Sequence, residues 1–261
     1  MPDPETVHLL ILGGTAEAAR LAEAARRRFG TGVAVTSSLA GTTRAPRPIA
    51  GAVRIGGFGG VPGLAAWLRR ENVSLVVDAT HPFADRISAN AREACAAVKV
   101  PRLVYSRPPW KPKPGDRWRN VSGLDTAAAL LPDIAARAFL SVGSLRLGAF
   151  AGLDGVHLVV RMVDPPAAPL PLTDCSVILG RGPFDAEAER DLLRRERIDA
   201  VVSRNSGGAA TYAKIEAARE LDLPVAMVAP PAREIGECVE SMEGALRWIG
   251  LQIASWKQAG P

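Results

Sequence analysis

The sequence predicts an α/β chain with mostly parallel sheets and two related lobes. Three observations carry that prediction: alternating apolar runs and amphipathic stretches, a proline-rich break near the middle, and an internal echo. The run His8–Leu12 (HLLIL) is apolar without alternation, as a strand buried on both faces requires. Val33–Thr36, Ala52–Ile55, Leu75–Val77 and Leu103–Tyr105 read as its companions. Helical periodicity fills the spaces between them at Ala16–Arg28, Gly63–Glu71 and Ala84–Val98. Beyond the middle the rhythm resumes. Phe139–Val142, Leu158–Arg161, Val177–Leu179, Ala200–Ser203 and Val225–Val228 read as strands, and Asp185–Glu196, Ala209–Leu221 and Glu234–Leu251 as helices. This is the order of βα units.

Arg107–Gly115 (RPPWKPKPG) interrupts the rhythm, because proline cannot donate to a sheet ladder. It marks the boundary between an N-terminal lobe over 1–110 and a C-terminal lobe over 111–261. The echo joins them. Leu68–Glu71 with Val73 and Val76-Val77 matches Leu193–Glu196 with Ile198 and Val201-Val202 at a constant offset of 125. A polar loop, a helix and a Pro-initiated strand follow in both copies.

Composition excludes several classes. The 261 residues are 48% hydrophobic and 23% charged, which disfavours disorder. No apolar run approaches the roughly 20 residues of a membrane span, and Met1–Thr6 lacks the basic start of a signal peptide. A cytoplasmic protein without a membrane partner is expected. Cys95, Cys175 and Cys238 are far apart, and His8, His81 and His157 lack ligand spacing, so no metal is expected. The net charge of +5 rests on many arginines and few lysines. Genomic base composition explains such a skew; so does recognition of carboxylates or phosphates by the guanidinium fork. The arginines are scattered and aromatics are 5%, so no nucleic-acid partner is expected.

In parallel sheets ligands bind beyond the carboxyl ends of strands. Gly13-Gly14-Thr15 follows the first strand and opens a helix, which suits phosphate against backbone amides. Thr15 is either a helix cap or a phosphate donor. The second strand ends in Thr36-Ser37-Ser38 with Arg44 beyond and no acid, which suits the extra phosphate of NADP over NAD. Gly56–Gly60 (GGFGG, including Gly57) offers close backbone approach, a lid, or an inert turn. Asp78–Phe83 ends a buried strand, with Thr80, His81 and Pro82 at its tip; His81 and Asp85 are candidate catalytic acids. Satisfaction of local amides explains Asp78 and Thr80 equally well. Arg204, Asn205, Ser206 and Gly207 form the counterpart loop in the second lobe and offer donors to an anion. Tyr212-Ala213-Lys214 has the wrong spacing for a short-chain dehydrogenase, and no G-x-S-x-G elbow occurs.

The loops together resemble the precorrin-6A reductase family of cobalamin biosynthesis. The resembling pieces are ILGGTAEAARLA (Ile11–Ala22), VTSSLAGTT (Val35–Thr43), GGFGG (Gly56–Gly60), VVDATHPFA (Val76–Ala84), ILGRGPF (Ile178–Phe184) and SRNSGGAATYAKIEAAR (Ser203–Arg219). The resemblance implies two Rossmann-like lobes with an active-site cleft between them, and NADPH-dependent reduction of a carbon–carbon double bond in precorrin-6A to give precorrin-6B. It places Gly13, Gly14 and Thr15 at the cofactor phosphates, Ser37, Ser38 and Arg44 at the adenosine end, and Thr80, His81 and Pro82 beside the nicotinamide and the macrocycle. Arg107, Arg146, Arg161, Arg181 and Arg204, each near a strand end, are the candidates for the carboxylates of this polycarboxylate tetrapyrrole. The family often carries Lys where Arg204 stands; anion binding survives that exchange, whereas a proton-donor role does not carry over. Transient contact with neighbouring enzymes of cobalamin synthesis is a further expected partnership. The competing readings are a two-lobed transferase with a nucleotide-sugar donor and a non-enzymatic NADP-sensing module.

Overall fold

Every strand paired in the computed structural model, which describes residues 6–41, 48–232 and 234–259, runs parallel to its neighbours. In chain order the first unit contains β1 (Val7–Leu12), α1 (Ala16–Phe29), β2 (Val33–Leu39), β3 (Ala52–Ile55), α2 (Gly60–Arg70), β4 (Leu75–Asp78), α3 (Asp85–Val98) and β5 (Arg102–Tyr105). The second contains β6 (Arg117–Val121), α4 (Leu124–Ile134), β7 (Arg137–Ser141), β8 (His157–Met162), β9 (Cys175–Leu179), α5 (Ala186–Arg195), β10 (Ala200–Arg204), α6 (Ala213–Glu220) and β11 (Pro224–Val228). The chain then returns to the first unit with β12 (Glu237–Val239) and α7 (Met242–Ala259).

The two sheets have six strands each, in the orders β12-β5-β4-β1-β2-β3 and β6-β11-β10-β7-β8-β9. The echo occupies matching places: β4 and β10 are the fourth strands outward from β3 and β9. The doubly wound order of a nucleotide-binding sheet appears in both.

β1 shows why the strands are apolar throughout. Val7, Leu9 and Ile11 pack with α1 and α7, while Leu10 and Leu12 pack with α2 and α3. Helices cover both faces, so neither face of the strand is wet. Phe139, Val201 and Met227 do the same work against α5 and α6 in the second unit. Among the described residues no helix is long and apolar enough to cross a membrane.

Several elements differ from the sequence reading, each for a physical reason. The compact units are Met1–Arg107 with Pro231–Pro261, and Pro108–Pro230. The C-terminal segment therefore belongs to the first unit, where Ala245, Leu246, Trp248 and Ile249 complete the core over α1. The helix predicted from Glu234 starts only at Met242. Glu237–Val239 instead extends the first sheet against β5, and the Ser241 hydroxyl accepts the Gly244 amide at 3.1 Å at the helix start. β2 runs past the predicted Thr36 to Leu39. α6 starts at Ala213 rather than Ala209, after Gly207 and Gly208 take left-handed backbone. β6 and α4 are additional: β6 (RWRNV) is an edge strand whose charged residues hide its period.

Candidate functional site

The strand order of the first sheet reverses between β1 and β4, so the loops leaving these strands diverge and leave room for a ligand. Gly13 donates its amide to the Ser38 carbonyl at 2.9 Å, which ties the end of β1 to β2. Gly14 follows with φ +104°, and no atom lies within 4 Å of where a Cβ would stand. The turn is open on the side that leads into α1. Thr15 caps that helix: its hydroxyl accepts the Ala18 amide at 3.1 Å and donates to the Ala79 carbonyl at 2.8 Å. One hydroxyl has one proton, so the cap reading is the realised one and the donor reading is spent on Ala79.

The β4 loop is fixed from below. Asp78 is the buried last residue of β4, and its Oδ1 accepts both the Thr80 amide (3.2 Å) and the Thr80 hydroxyl (2.7 Å). Its Oδ2 lies 3.6 Å from the buried guanidinium of Arg102, which donates in turn to the Ile235 carbonyl at 2.6 Å. Asp78 thus holds the loop and does not face a ligand. Nδ1 of His81 accepts the Phe83 amide at 3.3 Å, and the His81 carbonyl accepts the Ala84 amide at 2.8 Å. Asp85 is exposed at the first position of α3.

A pocket opens at this edge, walled by Thr15, Glu17, Ala79, Thr80, Pro82, Tyr105 and Arg107. It gathers four of the predicted residues, Thr15, Thr80, Pro82 and Arg107. His81 and Asp85 are not in its wall. Glu17, in the first turn of α1, accepts from Arg107 at 2.6 Å and from Arg20 at 3.2 Å. Arg107 therefore meets a carboxylate already, one supplied by the protein. Tyr105 ends β5 with its ring in the core; burial, then the Glu17 carboxylate, pushes its phenol pKa up, against the opposing pull of Arg20 and Arg107. Cys95, behind the loop on α3, is buried and its thiol is pushed up to about 11, so it stays protonated.

The end of β2 is built around an arginine that sequence reading passed over. Arg54 donates to the Ser38 hydroxyl (3.2 Å), the Gly56 carbonyl (2.5 Å) and the Gly57 carbonyl (2.6 Å), and its guanidinium lies 3.6 Å from the centre of the Phe58 ring. These bonds hold the first half of GGFGG down. Gly63 is obligatory there, since a Cβ would sit 1.8 Å from the Phe58 carbonyl oxygen. Ser38 is thereby reached by Arg54, whereas the Ser37 hydroxyl is buried inside the strand without a described partner. Arg44 lies outside the described residues.

In the second unit the predicted arginines separate into two kinds. Arg161 is spent: it makes a two-bond pair with the buried Glu189 (2.8 and 2.7 Å) and lies over the rings of Phe139 and Phe184. It is a core element, not a substrate contact. Arg146 and Arg181 are exposed in the loops after β7 and β9, and Arg204 is half-buried at the end of β10. Arg204 Nη2 passes 3.6 Å from where a Cβ on Gly143 would stand, an ordinary contact; Gly143 is required instead by its left-handed φ of +84°. Asn205 is a clamp: Oδ1 accepts the Trp110 amide at 2.7 Å and Nδ2 donates to the Trp110 carbonyl at 2.9 Å. Trp110 Nε1 donates to the Gly208 carbonyl at 2.8 Å. The proline-rich segment is thus fastened to the second unit. Ser206 is buried beside it, and Gly207 supplies a left-handed turn at φ +66°.

Sequence reading missed Glu17, Arg54 and Tyr105. Glu17 and Tyr105 carried a usable signal, since each lies within a few residues of a predicted strand's carboxyl end. Arg54 sits inside a short strand whose outward partners only the fold reveals.

Comparison with known proteins fits this architecture. A precorrin-6A reductase of Rhodobacter capsulatus is 45% identical over 241 residues, covering 92% of this chain and 95% of its own length. A solved structure, CobK precorrin-6A reductase, superposes with a TM-score of 0.89 at 44% identity, covering 95% of this chain and 97% of that one. A cobalt-precorrin-6A reductase of Priestia megaterium is more distant, at 29% identity over 72% of this chain and 78% of its own length. Residues 8–250 match the family model described as Precorrin-6x reductase CbiJ/CobK, and the chain belongs to that family.

Proposed function

We propose that this protein reduces a carbon–carbon double bond of precorrin-6A with NADPH, giving precorrin-6B, as a cytoplasmic step of cobalamin synthesis. Family membership carries the reaction class, and it favours reduction over glycosyl transfer or cofactor sensing. The greater identity to a relative named for the metal-free macrocycle than to one named for its cobalt form favours the metal-free substrate.

The first unit suits a dinucleotide. Gly14 leaves open space before the Thr15-capped start of α1, where a side chain would block a pyrophosphate. Glu17 opposes an anion there, and Arg20 and Arg107 offset it. No acid stands at the end of β2; Ser38 and Arg54 stand there instead, which favours the phosphorylated ribose of NADP. When bound, the nicotinamide supplies the hydride. The protein's own part is positional. Thr15 and Asp78 fix the two loops, Thr80 and Pro82 form the wall beside the reacting edge, and Arg146, Arg181 and Arg204 remain the candidates for macrocycle carboxylates.

The test is spectroscopic. Protein mixed with NADPH and precorrin-6A should oxidise the nicotinamide and shift the macrocycle's visible bands in equal amounts, and NADH should serve poorly. No change with intact substrate present would overturn the reading.

A further inference from the structure

We infer that Tyr105 is the proton donor of the reduction, giving the carbon next to the hydride acceptor its hydrogen. The inference rests on the reductase reading and adds to it a group that reading leaves unnamed.

The argument is one of elimination within the pocket wall. Reduction of a conjugated double bond adds a hydride to one carbon and leaves an electron pair on its neighbour, which must take a proton. The reduced nicotinamide is oxidised, the macrocycle gains both hydrogens, and the donor is left deprotonated until solvent restores it. The Thr15 proton is committed to Ala79 and the Thr80 proton to Asp78. Glu17 is ion-paired to Arg20 and Arg107, and Arg107 is held by Glu17. Tyr105 remains. No described residue hydrogen-bonds its hydroxyl, and its ring is clamped in the core formed by β1, α1 and α7. A rigid ring with an uncommitted hydroxyl meets the positional demand of general acid catalysis. Burial and Glu17 keep the phenol protonated at neutral pH, so the proton is in place when the electron pair forms. His81 and Asp85 lie outside the wall, His81 in a loop turn and Asp85 exposed on α3.

The charged groups facing the phenol are Glu17, Arg20 and Arg107. The phenol is the active form, so the rate holds at low pH and falls as pH rises through its ionisation.

Two measurements test this. Tyr105→Phe keeps the packed ring and removes the proton; reduction should slow by about 10²–10⁴-fold. NADPH affinity, read by direct titration, should stay within about twofold. A rate within about threefold of the parent overturns the inference. The second measurement needs no variant activity. The chain has two tyrosines, Tyr105 and Tyr212, so the ultraviolet titration difference between the parent and Tyr105→Phe isolates the Tyr105 ionisation. The parent's reduction rate should fall through that same pH, and a rate that stays flat across it overturns the assignment. If the parent itself fails to reduce precorrin-6A, the functional reading falls instead.

Discussion

The two sheets share one strand order and differ at the loop where that order reverses. After β1 the chain passes through Gly13-Gly14 into α1, fourteen residues of helix capped by Thr15, with open space at Gly14. After β7 it passes through Gly143 into a short 3-10 helix, Ser144–Phe150, half the length of α1. At this position, the loop where the strand order reverses, the first unit places an α-helix start and the second does not. The second offers guanidinium groups, Arg146, Arg181 and Arg204, at the matching edge. Under the proposed function, the duplicated topology would serve two anion chemistries: backbone amides in the first unit and forked side-chain charge in the second.

The largest expected way to break this contrast is Arg161→Ala. It strands the buried Glu189 carboxylate and should cost about 3–5 kcal/mol, measured by chemical denaturation. If the second unit is built independently, NADPH affinity of the folded fraction will be unchanged. Gly14→Val acts on the other side. Its φ of +104° suits no β-branched residue, so it should cost about 1–3 kcal/mol and weaken NADPH binding at least about tenfold in a direct titration. Unchanged affinity would remove the phosphate role from this turn. Asn205→Ala removes both bonds to Trp110 and should cost about 1–3 kcal/mol. The Trp110 fluorescence should shift, with no effect on NADPH affinity. Arg54→Gln is expected to be the mildest, cutting the preference for NADPH over NADH about tenfold with little change in melting temperature. An unchanged preference would leave the end of β2 without a phosphate partner.

The parts legible in the sequence share a physical cause. β1 and β4 are buried on both faces, so their apolar runs announce them, and the glycine turn after β1 is a local device spelled out in neighbouring letters. β6 and β12 escaped because an edge strand needs no apolar run: RWRNV and ECV owe their conformation to the strands beside them. The same limit governs side chains. Nothing in the sequence around Arg161 distinguishes it from Arg204, yet one faces Glu189 and two aromatic rings and the other lies at a strand end. Asn205 read as a ligand donor because its partner, Trp110, is 95 positions away.

The return of β12 and α7 to the first unit has a consequence for synthesis. A ribosome that has delivered the chain through Pro230 has released every residue of the second unit, which is contiguous from Pro108. The first unit, begun earlier, still shows the bare edge of β5 and a core over α1 that lacks Trp248 and Ile249. The lobe translated first is therefore the lobe finished last, and its vulnerable interval ends only when the final helix emerges.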